Sequence, residues 1–137
     1  MVVGDFELTF KESPMGFKCP ALQIALRKIG QLPAKLGQMG FLLTREIERN
    51  LSGKILQRRT GRLWSSWTWE VNVANAGWKL IVGSDCVYAR IHEFGGMTGR
   101  GHKTHIPARG YVSSAINKTR REIDDVLNTF VSRIFWN

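Results

Sequence analysis

The feature that most limits what this chain can fold into is a run of apolar residues at three- and four-residue spacing: Leu22, Leu26, Ile29, Leu32, Leu36, Met39, Leu43, Ile47 and Leu51. That period puts all of them on one side of an α-helix. Pro20 suits a first helical position. Pro33 lies inside the run, where it removes one backbone donor and crowds the preceding turn, so the spacing predicts a long N-terminal helix that kinks or breaks near residues 30–32. The stripe keeps its phase across the proline, which lets both pieces pack on one surface. Gly53 reads as the stop, and the residues up to Arg59 as a loop.

A stripe of that length needs a second layer to cover it, and the sequence offers one. Phe6, Leu8 and Phe10 alternate with Glu7, Thr9 and Lys11, the pattern of a short strand closed by the turn-like residues 13–16. Thr60 is placed to cap a short helical turn carrying Leu63, Trp64 and Trp67. Trp67, Trp69, Val71 and Val73 then alternate with polar residues, and Trp78, Leu80 and Val82 do so again after a turn at 74–77. An antiparallel hairpin whose tryptophan-rich face packs on the long helix is the simplest account.

Residues 86–94 read as a brief helix ended by Gly95 or Gly96. Met97–His105, with glycines at 99 and 101 and one bulky apolar residue, read as an exposed loop, and Pro107 forces Ile106 into an extended conformation. A last helix starts near Val112 and carries Ile116, Ile123, Val126, Leu127, Phe130 and Ile134 on one side. The expectation is an α+β fold in which a small antiparallel sheet packs against a long kinked N-terminal helix and a C-terminal helix. At 137 residues this is one domain over 1–137, with an N-terminal strand and loop at 1–19 and a flexible basic loop at 97–105.

Charge narrows the function less than its distribution does. Twenty Lys and Arg against 11 acids give +9, which fits a nucleic acid, an anionic membrane or an acidic protein surface. Lys54, Arg58, Arg59 and Arg62 lie in one acid-free stretch, and Arg100, Lys103 and Arg109 in another. Each reads either as a solvated surface or as a face turned to a polyanion or acidic partner. Lys118, Arg120 and Arg121 precede Glu122, Asp124 and Asp125 by about one turn, the weaker order for helix support. Two cysteines, Cys19 and Cys86, are too few for a disulfide scaffold, no run approaches a membrane span, and the first residues lack a signal-peptide pattern. A soluble intracellular product without membrane contact is expected.

The residue types that carry chemistry do not fall into working patterns. Gly96 and Gly101 have phosphate-loop spacing, but His102 follows where a lysine must reach the phosphate; Gly53-Lys54 is followed by Ile55. Cys86, His92, His102 and His105 match no ordinary zinc spacing. His92 reads as a partly buried ring hydrogen-bonded at the end of a short helix. The serines at 65, 66, 84, 113 and 114 sit in no nucleophile elbow, and no acid pair suggests a glycosidase. Neither an enzyme nor a bound metal or cofactor is expected.

Three separated segments carry a resemblance. Thr60-Gly61-Arg62-Leu63, then Val82-Gly83-Ser84, then the run from Tyr88-Ala89 through Ile91, His92, Glu93, Phe94, Gly95 and Gly96 to Gly99, Gly101, Lys103, Ile106, Pro107, Ala108 and Arg109 resemble, in order and rough spacing, the motifs of the phage virion morphogenesis family, tail-completion proteins of tailed bacteriophages. Glu93 stands where that family often has glutamine, and Gly110-Tyr111 where it often has proline and an aromatic residue; the strand at 6–10 looks like an addition.

The resemblance implies a structural virion protein without catalysis, one that completes or terminates the tail at the neck and joins it to the head. Its partners would be itself in a ring, hexameric by expectation, neighbouring neck and tail proteins, and double-stranded DNA passing in weak contact; it would reside in the host cytoplasm before assembly and in the virion after. Arg58, Arg59, Arg62, Arg100, Lys103 and Arg109 are then candidates for a subunit interface or a lumen loop, with Phe94, Gly95, Gly96, Ile106 and Pro107 anchoring that loop. The alternative is a small basic nucleic-acid-binding protein, in which Arg58, Arg59 and Arg62 grip phosphates and Trp64 stacks on a base.

Overall fold

Leu32–Arg49 form an 18-residue helix, α1, with Pro33 in its first turn, where a missing N–H costs nothing. Residues 28–29 are helical and 30–31 form a turn, so the long arm breaks just ahead of the proline, as its position requires. The computed structural model describes residues 2–9, 28–57, 60–74 and 77–136. The expected helical turns from Pro20 to Leu26 lie outside the described residues. Leu32, Leu36, Met39, Leu43, Ile47 and Leu51 are all buried, so the described part of the stripe is the core face. Truncating any one of them to alanine in such a site costs about 2–5 kcal/mol.

After Arg49 the helix widens into a single i→i+5 turn over Asn50–Lys54, in which Ile55 N–H donates to Asn50 O, and Gly53 takes a φ of 111°. A short helix α2 (Arg62–Ser65) follows. It begins at Gly61, in the left-handed region, rather than at Thr60; the Thr60 hydroxyl accepts from the Arg62 N–H only at 3.5 Å and also hydrogen-bonds the Tyr88 hydroxyl. Trp67, expected in this turn as well as in the next strand, belongs to the strand.

That strand, β2 (Trp67–Ala74), pairs antiparallel with β3 (Gly77–Ser84) without irregularity, and an N-terminal strand, β1 (Val2–Thr9), pairs antiparallel with the other side of β3. The sheet order is β1-β3-β2, so the hairpin expected from the alternation gains a third strand. Trp67, Leu80 and Val82 are buried toward α1. The approach is close: a Cβ on Gly40 would lie 2.9 Å from Trp69 and Leu80 side-chain atoms, so α1 sits on the sheet only because that position has no side chain.

A one-and-a-half-turn helix α3 (Ala89–Phe94) leads into two three-residue strands, β4 (Gly96–Thr98) and β5 (Thr104–Ile106), and a 25-residue helix α4 (Tyr111–Phe135) ends the chain. α4 packs along α1 through Val112, Ala115, Ile123, Phe130 and Ile134. The two helices are also stitched by charge. Glu46, buried on α1, accepts from Lys118 of α4 at 2.7 Å and from Lys54 and Arg49 at 3.3 Å. Burial alone would raise the Glu46 carboxyl, but the hydrogen bonds from Lys118, Lys54 and Arg49, with the charge of Lys118, hold it below the usual range. Lys118 therefore serves Glu46 rather than the acids of its own helix.

Candidate functional site: the hairpin arm and its clamp

The segment 97–105, expected as an exposed flexible loop, forms with Gly96 and Ile106 a hairpin arm. Met97 pairs with His105 and Thr98 with Thr104, and the turn between them uses positive φ at Gly99 (83°), Gly101 (76°) and His102 (51°). Exposure is as expected: Arg100, His102 and Lys103 all stand in solvent at the tip, and Met97 is exposed beside them.

The base of the arm is built from the residues flanking it. Gly95 has φ 71° and ψ 179°, a conformation open in practice only to glycine. A Cβ there would fall 2.6 Å from Ala108 N and 2.9 Å from Ile106 O, so the two ends of the arm cross at this glycine. Two backbone bonds hold the crossing: Arg109 N–H donates to His92 O and Gly110 N–H to Glu93 O, at 3.0 and 3.1 Å.

Beneath the crossing the Glu93 side chain, 4% exposed, reaches the start of α4, where it accepts from Val112 N–H at 2.8 Å, Ser113 N–H at 3.0 Å and the Ser113 hydroxyl. The first N–H groups of a helix have no partner within it, and the helix dipole favours an anion there, so this carboxylate caps α4 from another element. Tyr111 completes the clamp. Its buried hydroxyl donates to Ala89 O at 3.1 Å, its carbonyl accepts from Asn50 Nδ2 at 2.7 Å, and its ring meets Trp67 edge-on at 6.0 Å. Burial first, then Glu93 and Cys86, push its phenol well above the ordinary value.

Two of the three sequence segments, the first and the third, meet at one place. Thr60, Gly61 and Leu63, then Tyr88 and His92, then Ile106, Pro107 and Arg109 line a groove of about 970 Å³ at the foot of the arm. Gly61 starts α2, and the Ser84 hydroxyl accepts from Cys86 N–H at 3.1 Å and lies 2.6 Å from the Ser66 hydroxyl, fixing the turn from β3 into α3. The Tyr88 and His92 rings meet edge-on at 5.9 Å. His92 Nδ1 is buried and has no hydrogen-bond partner among the described residues, so the hydrogen bond expected for this ring is not found at this nitrogen. Burial, and after it the Arg109 guanidinium, hold the imidazole below the usual histidine range.

The candidate residues therefore divide. Arg100 and Lys103 share the tip; Arg109 stands at the groove, exposed and without an ion pair among the described residues; Arg62 is exposed on α2. Arg58 and Arg59 lie outside the described residues. Gly95, Gly96 and the half-buried Ile106 sit at the foot of the arm, but Phe94 is 65% exposed and Pro107 is exposed, so neither anchors the arm in the core. The helix turns Phe94 outward because its neighbour Glu93 takes the inward position. Glu93 and Tyr111, which hold the clamp, are not among the candidate site residues that sequence reasoning named. A glutamine carbonyl would also accept the α4 N–H groups, which explains why either residue suits position 93.

Among the described residues, no three of His, Cys, Asp and Glu gather as a metal site, and no helix is long and apolar enough to cross a membrane. No solved structure matches the chain. It is 28% identical over 86 residues, 63% of its length, to an uncharacterized protein of Methanocaldococcus jannaschii, and 38% identical over 71 residues, 52% of its length, to Mu-like prophage FluMu G protein 2 of Haemophilus influenzae. It spans 58% and 49% of the lengths of those two relatives. The family model of phage virion morphogenesis matches residues 23–132, a span that starts after β1 and takes in α1, the β2–β3 hairpin, the clamp, the arm and most of α4. By that match, and with the motif residues building the foot of one exposed arm, the chain belongs to the phage virion morphogenesis family.

Proposed function

We propose that this protein is a structural subunit of a tailed-phage virion that completes or terminates the tail at the neck and joins it to the head, working as a ring of copies, with six as the expected number. The observation that carries this reading is that the shared motif residues build a clamp for a protruding basic arm. Gly95, Glu93 and the 106–110 segment fix where the arm leaves the body, while Arg100, His102 and Lys103 at its tip are left in solvent. Held in this way, an arm loses little conformational freedom when it docks, which favours joining one subunit to another part. A chain of this length has a radius of gyration of only about 14 Å, so enclosing a channel for duplex DNA takes several copies.

Negative-stain microscopy of particles from a phage lacking this gene tests the reading. Separate heads and tails, or tails of uncontrolled length, are the expected result, with repair on complementation; intact infectious particles would overturn it. Duplex binding by the purified chain tests the rival class. A binder making four phosphate contacts has a slope of log K on log salt near about −3.6, whereas weak binding is expected of a protein that DNA must slide past.

A further inference from the structure

We propose that neighbouring copies in the ring join edge to edge through their sheets, β2 of one copy against β1 of the next. This rests on the ring reading above and names the surface that makes it. The sheet is open: all eight residues of β2 pair with β3, and among the described residues nothing pairs with the far side of β2 or of β1.

The β2 edge has little of the usual protection. Its sequence, WTWEVNVA, contains no proline and no lysine and a single charge, the exposed Glu70, and its register with β3 runs without a bulge from Trp67↔Ser84 to Ala74↔Gly77. A long, regular edge of this kind is a template for another strand. Large apolar side chains also stand exposed along it: Val73 at 75% and Trp69 at 40%, with Phe41 of α1 at 54% beside Trp69 in the same cleft. The opposite edge runs level with it: the β1 backbone at positions 6 and 8 is in register with Leu80 and Trp78, which stand in turn opposite Val71 and Val73 of β2.

Geometry selects the partner. β1 and β2 are each antiparallel to β3, so they run the same way. A rotation about an axis along the strands brings β2 of one copy beside β1 of the next as a parallel pair, and repeating it closes a ring. The contact is heterologous, using two different surfaces, as a ring requires; β2 against β2 would stop at a dimer.

The test uses full-length chain assembled into virions, with the unsubstituted chain as the blank for its two native cysteines. Val73→Cys is combined in turn with Phe6→Cys, Glu7→Cys, Leu8→Cys or Thr9→Cys, particles are oxidised, and chains are resolved on a non-reducing gel while copies per virion are counted. At least one double variant should give a ladder of linked chains, and each single variant should stay at blank level. Val73→Lys should lower particle yield at least tenfold while the isolated chain stays folded, and Val73→Thr should restore it. Dimers from Val73→Cys alone, or several copies per infectious virion with no ladder from any double variant, would overturn the edge contact and leave the ring standing. A single copy per virion would overturn both.

Discussion

Gly95→Ala isolates the clamp at the foot of the arm. At φ 71° and ψ 179° the glycine occupies a region where any other residue carries about 1–3 kcal/mol of strain. The added methyl would also stand 2.6 Å from Ala108 N and 2.9 Å from Ile106 O. Those are backbone atoms that no rotamer change can move aside, and overpacking of this kind costs a further ~1–3 kcal/mol. The two together come to about 2–6 kcal/mol, a large part of a typical domain stability of about 5–15 kcal/mol. Gly110→Ala is the control: its φ is 56°, also left-handed, but nothing lies within 4 Å of a Cβ there, so only about 1–2 kcal/mol is expected. In urea, with a slope near ~2 kcal/mol per M, the Gly95→Ala midpoint should drop by about 1–3 M and that of Gly110→Ala by less than about 1 M. Equal midpoints for the two variants would refute the crossing as the constraint at residue 95.

Three further outcomes are expected. Glu93→Ala should destabilise by about 2–4 kcal/mol in the same urea assay, because buried N–H groups at the start of α4 lose a charged acceptor, and Glu93→Gln should recover a good part of the loss. His92 has a folded pKa depressed below its unfolded value near 6.5, so protonation favours the unfolded chain; stability should fall as pH drops from about 6.5 toward the lower folded value, and His92→Gln should flatten that part of a thermal-melt profile. Arg100→Ser combined with Lys103→Ser touches only exposed tip residues, so the melting temperature should be unchanged while infectivity falls; normal infectivity would remove the tip from the joining contact.

What could be read from the sequence follows the reach of the interactions involved. The α1 stripe, the break before Pro33 and the β2–β3 hairpin are set by spacing and by a proline, both local, and all three are found. The arm was hidden because three-residue strands with Met97 and Ile106 as their only large apolar residues carry no alternation to detect. The clamp was hidden for another reason: Glu93 serves N–H groups 19 and 20 residues away, and Lys118 reaches Glu46 across 72 residues. Such pairings leave no periodic trace. The resemblance located the right segments, and the structure explains their residues: Gly95 by a backbone crossing, Glu93 by capping, Ser84 by a turn.

The crossing also makes the arm a lever. A load applied at Arg100 or Lys103 travels down two short strands and passes into the body at one fulcrum, where the 109–110 backbone hangs from the carbonyls of His92 and Glu93. The same Glu93 grips the first turn of a 25-residue helix, so the foot of the arm and the start of α4 share one anchor, and neither can shift without straining the other.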